Sequence, residues 1–108
     1  MTRASDAALI DRFLEMLAAE AGAAANTIAA YRSDLMLAAG AIEGSLGEAD
    51  ADALTALSSQ WAGLARSTVA RKAAALRRFY AFLADEGLRA DDPGKALPRP
   101  GAAPATDR

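Results

Sequence analysis

Between Arg66 and Arg78 the stretch "RSTVARKAAALRR" carries five bases: Arg66, Arg71, Lys72, Arg77 and Arg78. No acid interrupts them, and none follows before Asp85. Guanidinium and ammonium groups at this density suit anions, because arginine forms charge-assisted, often bidentate bonds to phosphate or carboxylate. A solvated face is the commoner outcome for a basic helix. Arg77 and Arg78 could equally pair with nearby carboxylates, a weak contribution at a surface. The rest of the chain raises the stakes. Its net charge is −2 and its pI about 5.0. Between Ser33 and Ala65 stand five acids (Asp34, Glu43, Glu48, Asp50, Asp52) and no base. The small net charge therefore conceals a polarised molecule, and the low pI counts only modestly against a nucleic-acid partner.

Other chemistry is poorly supplied. The 108 residues include no histidine and no cysteine, which removes the usual general base, the commonest metal ligand, thiolate sites and disulfides. No catalytic residue, metal or cofactor is expected. The length suits one domain. No apolar run approaches the roughly 20 residues of a membrane span, and "MTRASDAALIDRF" lacks a signal peptide's apolar block. The expectation is a soluble, cytoplasmic domain with no membrane partner.

Alanine dominates the composition and β-branched residues are few, so the elements that must position these bases are helices. A first helix is expected from Ser5 to Ala21, with Leu9, Ile10, Phe13, Leu14 and Leu17 as its apolar stripe, Ser5 or Asp6 as N-cap and Gly22 as stop. A second runs from Asn26 to Ala39, with Ile28, Tyr31, Leu35 and Ile42 at core spacing. A third, from Ala49 to Gly63, carries Leu54, Leu57 and Trp61 and begins among acids, which suit a helix N-terminus. The fourth and longest runs from Ser67 to Glu86, with Ser67 as N-cap and Gly87 as C-cap. "DDPGKAL" suits one further turn with Pro93 at its start. The expected fold is all-α: a compact orthogonal bundle of four helices with a short fifth turn, spanning 1–97. Residues 98–108 read as a linker or tail.

On a helical wheel of the fourth helix, Val69, Ala73, Leu76, Tyr80 and Leu83 share the core side. Ser67, Arg71, Ala74 and Arg78 fall opposite, flanked by Thr68 and Ala75. Phe82 points away from the stripe. An outer face of hydroxyls, guanidinia and methyls can approach a phosphate backbone closely, and the helix N-terminus near Ser67 adds an anion-favouring end.

Two motifs sharpen this. "NTIAAYRSDL" (Asn26–Leu35) and "STVARKAAALRRFYAFLADEGLRADDPGKAL" (Ser67–Leu97) together resemble the N-terminal core-binding (SAM-like) domain of tyrosine recombinases, nearest to Xer-type recombinases and bacterial integrases. The pattern is N-T-x-x-x-Y-x-x-D-L, then S-x-x-x-R-x-x-x-x-L-R-x-F-Y-x-F-L, then D-D-P-x-x-x-L before a proline-containing linker. The resemblance implies a helical bundle covering one face of duplex DNA at an inverted-repeat half-site, with the second and fourth helices towards the major groove. It implies as partners a C-terminal catalytic domain, which holds the reactive tyrosine, and other recombinase protomers. Two departures stand out. Ala24-Ala25 replaces the usual Ser or Pro before Asn-Thr, so the second helix must be capped by Asn26 or begin frayed. Arg32 is that helix's lone base.

The expected DNA-contacting residues are Asn26, Thr27, Arg32, Ser67, Thr68, Arg71, Lys72 and Arg78, with Arg71 foremost because it matches the motif and points from the core. Each has a structural alternative. Asn26, Thr27 and Ser67 can serve as caps, Arg32 can pair within its helix, and Lys72 sits beside the stripe and can snorkel. Tyr31 and Arg77 are assigned to DNA or to interhelix contact. The competing reading is a helical protein–protein module whose basic helix docks an acidic partner.

Overall fold

In the computed structural model, which describes residues 5–20 and 22–97, the apolar stripes become one shared core. The described residues form four α-helices, α1 (Asp6–Glu20), α2 (Ala25–Ala41), α3 (Ala51–Ser59) and α4 (Arg66–Asp85), and two short 3-10 turns, η1 (Leu46–Glu48) and η2 (Pro93–Ala96). The all-α reading holds, and η2 is the expected fifth turn. The linker expected from Pro98 lies outside the described residues.

All five expected apolar residues of α1 are buried. Ser5 caps this helix, its Oγ accepting from the Ala8 N–H at 3.1 Å. Asp6 does something else. Its carboxylate accepts from Ser45 Oγ (2.9 Å), the Leu46 N–H (2.8 Å) and the Gly47 N–H (3.0 Å), so it holds η1 against the start of α1.

The third helix is shorter than its periodicity suggested. Asp50 caps it, accepting from the Ala53 N–H at 2.8 Å. The hydroxyls of Ser58 and Ser59 turn back onto the carbonyls of Thr55 and Ala56, a local bonding mode that competes with helix continuation. Trp61 is still buried, from the turn that follows.

Packing converges on α4, which meets α1, α2 and η2. Phe79 stands edge-on to Phe13, with ring centroids 5.8 Å apart, and Phe82 lies at the same distance from Phe13. Such aromatic pairs add about 0.5–1.5 kcal/mol beyond the area they bury. The Tyr80 hydroxyl donates to the Leu46 carbonyl. Two wheel assignments therefore fail: Ala75, expected on the outer face, is fully buried, and Phe82, expected off the stripe, belongs to the core. A helix with neighbours on several sides buries an arc wider than one stripe.

Both ends of α4 follow local rules, one of them unexpectedly. At the C-terminus Gly87 has φ +72°. The Leu88 N–H bonds the Leu83 carbonyl and the Gly87 N–H bonds the Ala84 carbonyl, the paired bonds of a Schellman motif, which favours glycine at the left-handed position. At the N-terminus the capping position is Ala65, whose carbonyl accepts from the Val69 N–H, and no side chain caps it. Ser67 therefore lies inside the first turn and is not the N-cap. Likewise α2 starts at Ala25, with Ala24 as an N-cap that has no side-chain bond, so Asn26 does not cap it.

Candidate nucleic-acid interface

The two helices expected to face a ligand are adjacent, and side chains from each meet across the gap. The central feature is Asp34 of α2. Its side chain is only 2 % exposed, yet it is a carboxylate on the acid-only side of the sequence. A buried ionised carboxylate needs partners, and α4 provides two. Arg71 forks onto it, Nε to Oδ2 at 2.7 Å and Nη2 to Oδ1 at 3.1 Å. Lys72 Nζ lies 3.3 Å from Oδ1. The Asp34 bond and charge raise the Arg71 pKa above its already high ordinary value, partly offset by desolvation.

This alters the expected role of Arg71. It does not simply point from the core; it leans onto α2 and spends two of its five N–H donors there. Its side chain is still 47 % exposed, which leaves the donors not bonded to Asp34 within reach of a ligand. Lys72 is 15 % exposed, its stem covered and its ammonium drawn to Asp34. Together the three side chains leave one net positive charge.

The second interhelix meeting is Arg78 with Tyr31. The guanidinium lies over the phenol ring, 5.9 Å from its centroid, with Nη1 3.4 Å from the hydroxyl. Tyr31 is therefore a core residue whose polar tip reaches the α2–α4 seam. Arg32 turns instead to Asp11 of α1 at 2.6 Å, with both side chains about half exposed. Asn26, Thr27 and Ser67 are exposed and Thr68 is half-buried. These four lie in the first turns of α2 and α4.

Arg77 is half-buried, and with Arg78 it borders a cleft closed on the other side by Gly94 and Lys95 of η2 and by Asp92, which caps that turn. Lys95 and Asp34 are the residues that sequence reasoning missed. Asp34 was legible only as the acid of the Y-x-x-D motif, and Lys95 only as a lone base in a turn. Beyond the basic region, Met36 and Leu37 stand exposed on α2. Among the described residues no group of acids could hold a metal ion, and no helix is long and apolar enough to cross a membrane.

The chain is thus an all-helical domain with one long basic helix bonded to a neighbour through a buried carboxylate. Comparison with known proteins gives the family. The chain belongs to the phage integrase N-terminal SAM-like domain family, whose model matches residues 10–87. It is 62 % identical over 100 residues to the tyrosine recombinase XerC of Erythrobacter litoralis, covering 93 % of this chain and 32 % of that protein. It is 46 % identical over 99 residues to the tyrosine recombinase XerD of Rhizobium meliloti, and 42 % identical over 97 residues to that of Caulobacter vibrioides. Those two matches cover 87 % and 85 % of this chain and 32 % of each relative. The chain thus spans about a third of the length of these relatives. No solved structure matches it.

Proposed function

We propose that this domain binds duplex DNA as the N-terminal part of a tyrosine recombinase, covering one face of a recombination half-site. Strand exchange is assigned to a catalytic region beyond these residues, and the domain helps protomers assemble on DNA in the cytoplasm. The observation that carries the reading is the run of five bases without an acid along α4, on a helix joined to α2 in a family whose relatives are named as tyrosine recombinases.

The proposed contacts are Asn26, Thr27 and Arg32 from α2, and Ser67, Thr68, Arg71, Lys72 and Arg78 from α4, with Tyr31 at the α2–α4 seam and Arg77 at the cleft beside η2. Arg71 has the clearest geometry. Asp34 holds its fork while donors remain free, so a phosphate meets an arm already oriented, with less side-chain entropy left to lose. Most contacts are of the positioning kind, to phosphate and sugar, and carry little sequence information.

The test is an NMR titration of the labelled chain with a short duplex at low and moderate salt. Expected are shifts around Asn26–Arg32 and Ser67–Arg78, reversal by salt, and weakening by Arg71→Ala. If nothing moves, or only the Glu48–Gly63 region responds, the DNA reading is wrong. A response to an acidic peptide in place of the duplex would then favour a protein partner.

A further inference from the structure

The positive charge of α4 divides unequally once the chain is folded. Its N-terminal half gives Arg71 and Lys72 to one buried carboxylate. Its C-terminal half sets Arg78 against the neutral Tyr31, which leaves its charge in place, and gains a base: η2 brings Lys95 to the cleft beside Arg77 and Arg78. That cleft has a volume of about 220 Å³, several times the roughly 30 Å³ share of a water molecule, so a phosphate group fits within it. Its one acid, Asp92, has an oxygen occupied by the Gly94 N–H at 3.1 Å. Lys95 is exposed, as a base must be to meet a large polyanion. The position of η2 is tightly set, since a methyl at Gly94 would stand 3.1 Å from the Arg77 Cα and 3.4 Å from the Tyr80 Cβ.

The opposite side of Arg78 is different. There the surface is bordered by Glu20, Asp85 and Glu86, which repel an anion. A polyanion reaching Arg78 is therefore directed towards η2 and away from the end of α4.

We propose that Arg77, Arg78 and Lys95 together hold a phosphate of the DNA backbone in the cleft between α4 and η2, so that the contacting surface extends past α4 onto the closing turn. This rests on the DNA reading above and adds to it a site on a different element. Because a phosphate contact carries no base information, its loss weakens binding equally for unrelated duplexes.

Duplex binding followed by fluorescence anisotropy over a salt series tests this, comparing the unaltered chain with Lys95→Gln, Lys95→Arg and, as a control on α1, Arg12→Gln. Lys95→Gln is expected to weaken binding several-fold at low salt for two unrelated duplexes and to lower the salt slope by about one. Lys95→Arg is expected to restore both, and Arg12→Gln to change neither. If the unaltered chain binds with a steep salt slope and Lys95→Gln binds identically, the cleft assignment is wrong while the DNA reading stands. If the unaltered chain binds no duplex, both are overturned. A Lys95 amide shift as large with inorganic phosphate as with duplex, at matched ionic strength, would make the cleft a free-anion site and overturn the backbone assignment.

Discussion

Arg71 and Lys72 lie five to seven residues before Arg77 and Arg78 on one helix, yet the two pairs stand in opposite electrostatic settings. The first pair converges on a carboxylate that is almost out of water, so one of its two charges is offset in holding α2 against α4, and the exposed side of Arg71 carries what remains. The second borders an open cleft into which a separate turn delivers a third base. Similar side chains therefore do different work, and burial of the counter-charge decides which. Where the acid is buried, removing a partner strands a charge and stability suffers. Where a base is exposed, as Lys95 is, removing it changes mainly what can be attracted.

The sharpest way to break this contrast is Asp34→Ala. It leaves the half-buried Lys72 ammonium without its acceptor and releases the Arg71 fork. Because Arg71 is partly solvated, the cost falls below that of a fully buried pair, at about 2 kcal/mol, or a Tm drop of roughly 8–16 °C. Urea unfolding checks it, with Lys95→Gln alongside and expected to stay within about 0.5 kcal/mol of the unaltered chain. Equal losses in the two variants would erase the distinction.

A smaller and complementary effect is expected from Gly94→Ala. The new methyl meets Arg77 backbone, not a flexible side-chain tip, so η2 must shift at a cost of about 1 kcal/mol. That displaces Lys95 while leaving the Asp34 contact untouched. Duplex affinity should fall more than Tm does, and Arg71 Nε–H signals should stay in place. Movement of the Arg71 signals would mean that the two regions are coupled.

The smallest effect lies outside both regions and calibrates them. Arg89 reaches three partners: Asp91 at 2.7 Å through Nε, the Gly47 carbonyl at 3.0 Å, and the Tyr80 ring at 5.6 Å. The bond to Arg89 holds the exposed Asp91 carboxyl below its ordinary value of 3.8. A lowered folded-state pKa means the pair contributes above the ordinary value and is lost as pH falls through the lowered one. The Arg89 Nε–H signal should therefore hold steady down to about that ordinary value and move only below it. Movement at higher pH would show that the pair does not form in solution.

Burial on the other side of Arg89 acts in the reverse sense. Tyr80 is pushed up, first by desolvation and then by Asp6, with Arg89 opposing. Its hydroxyl thus stays protonated, and able to donate to Leu46, beyond the alkaline range in which an exposed tyrosine ionises.

The resemblance to the recombinase domain, the all-α class and most of the core were legible because they rest on local regularities. Leu9, Ile10, Phe13, Leu14 and Leu17 recur at helical spacing, Gly87 marks a left-handed stop, and the bases of α4 form an unbroken run. The errors at Ser67, Ala75 and Phe82 have a common origin. A wheel assumes one buried face and a cap chosen by residue type, whereas α4 packs on several sides and starts at Ala65 without a side-chain cap.

How much charge each segment carries and which segments coil into helices follow from residue type and from neighbours within a few positions. Which charges remain available to a ligand depends instead on how the helices pack. Asp34 and Arg71 are 37 residues apart in sequence and 2.7 Å apart in the fold. Lys95 joins Arg77 only because Gly94 lets the closing turn lie against the helix backbone. Pairing energies depend on distance and on exclusion of water, and both are set by the packing of helices that lie far apart in the chain.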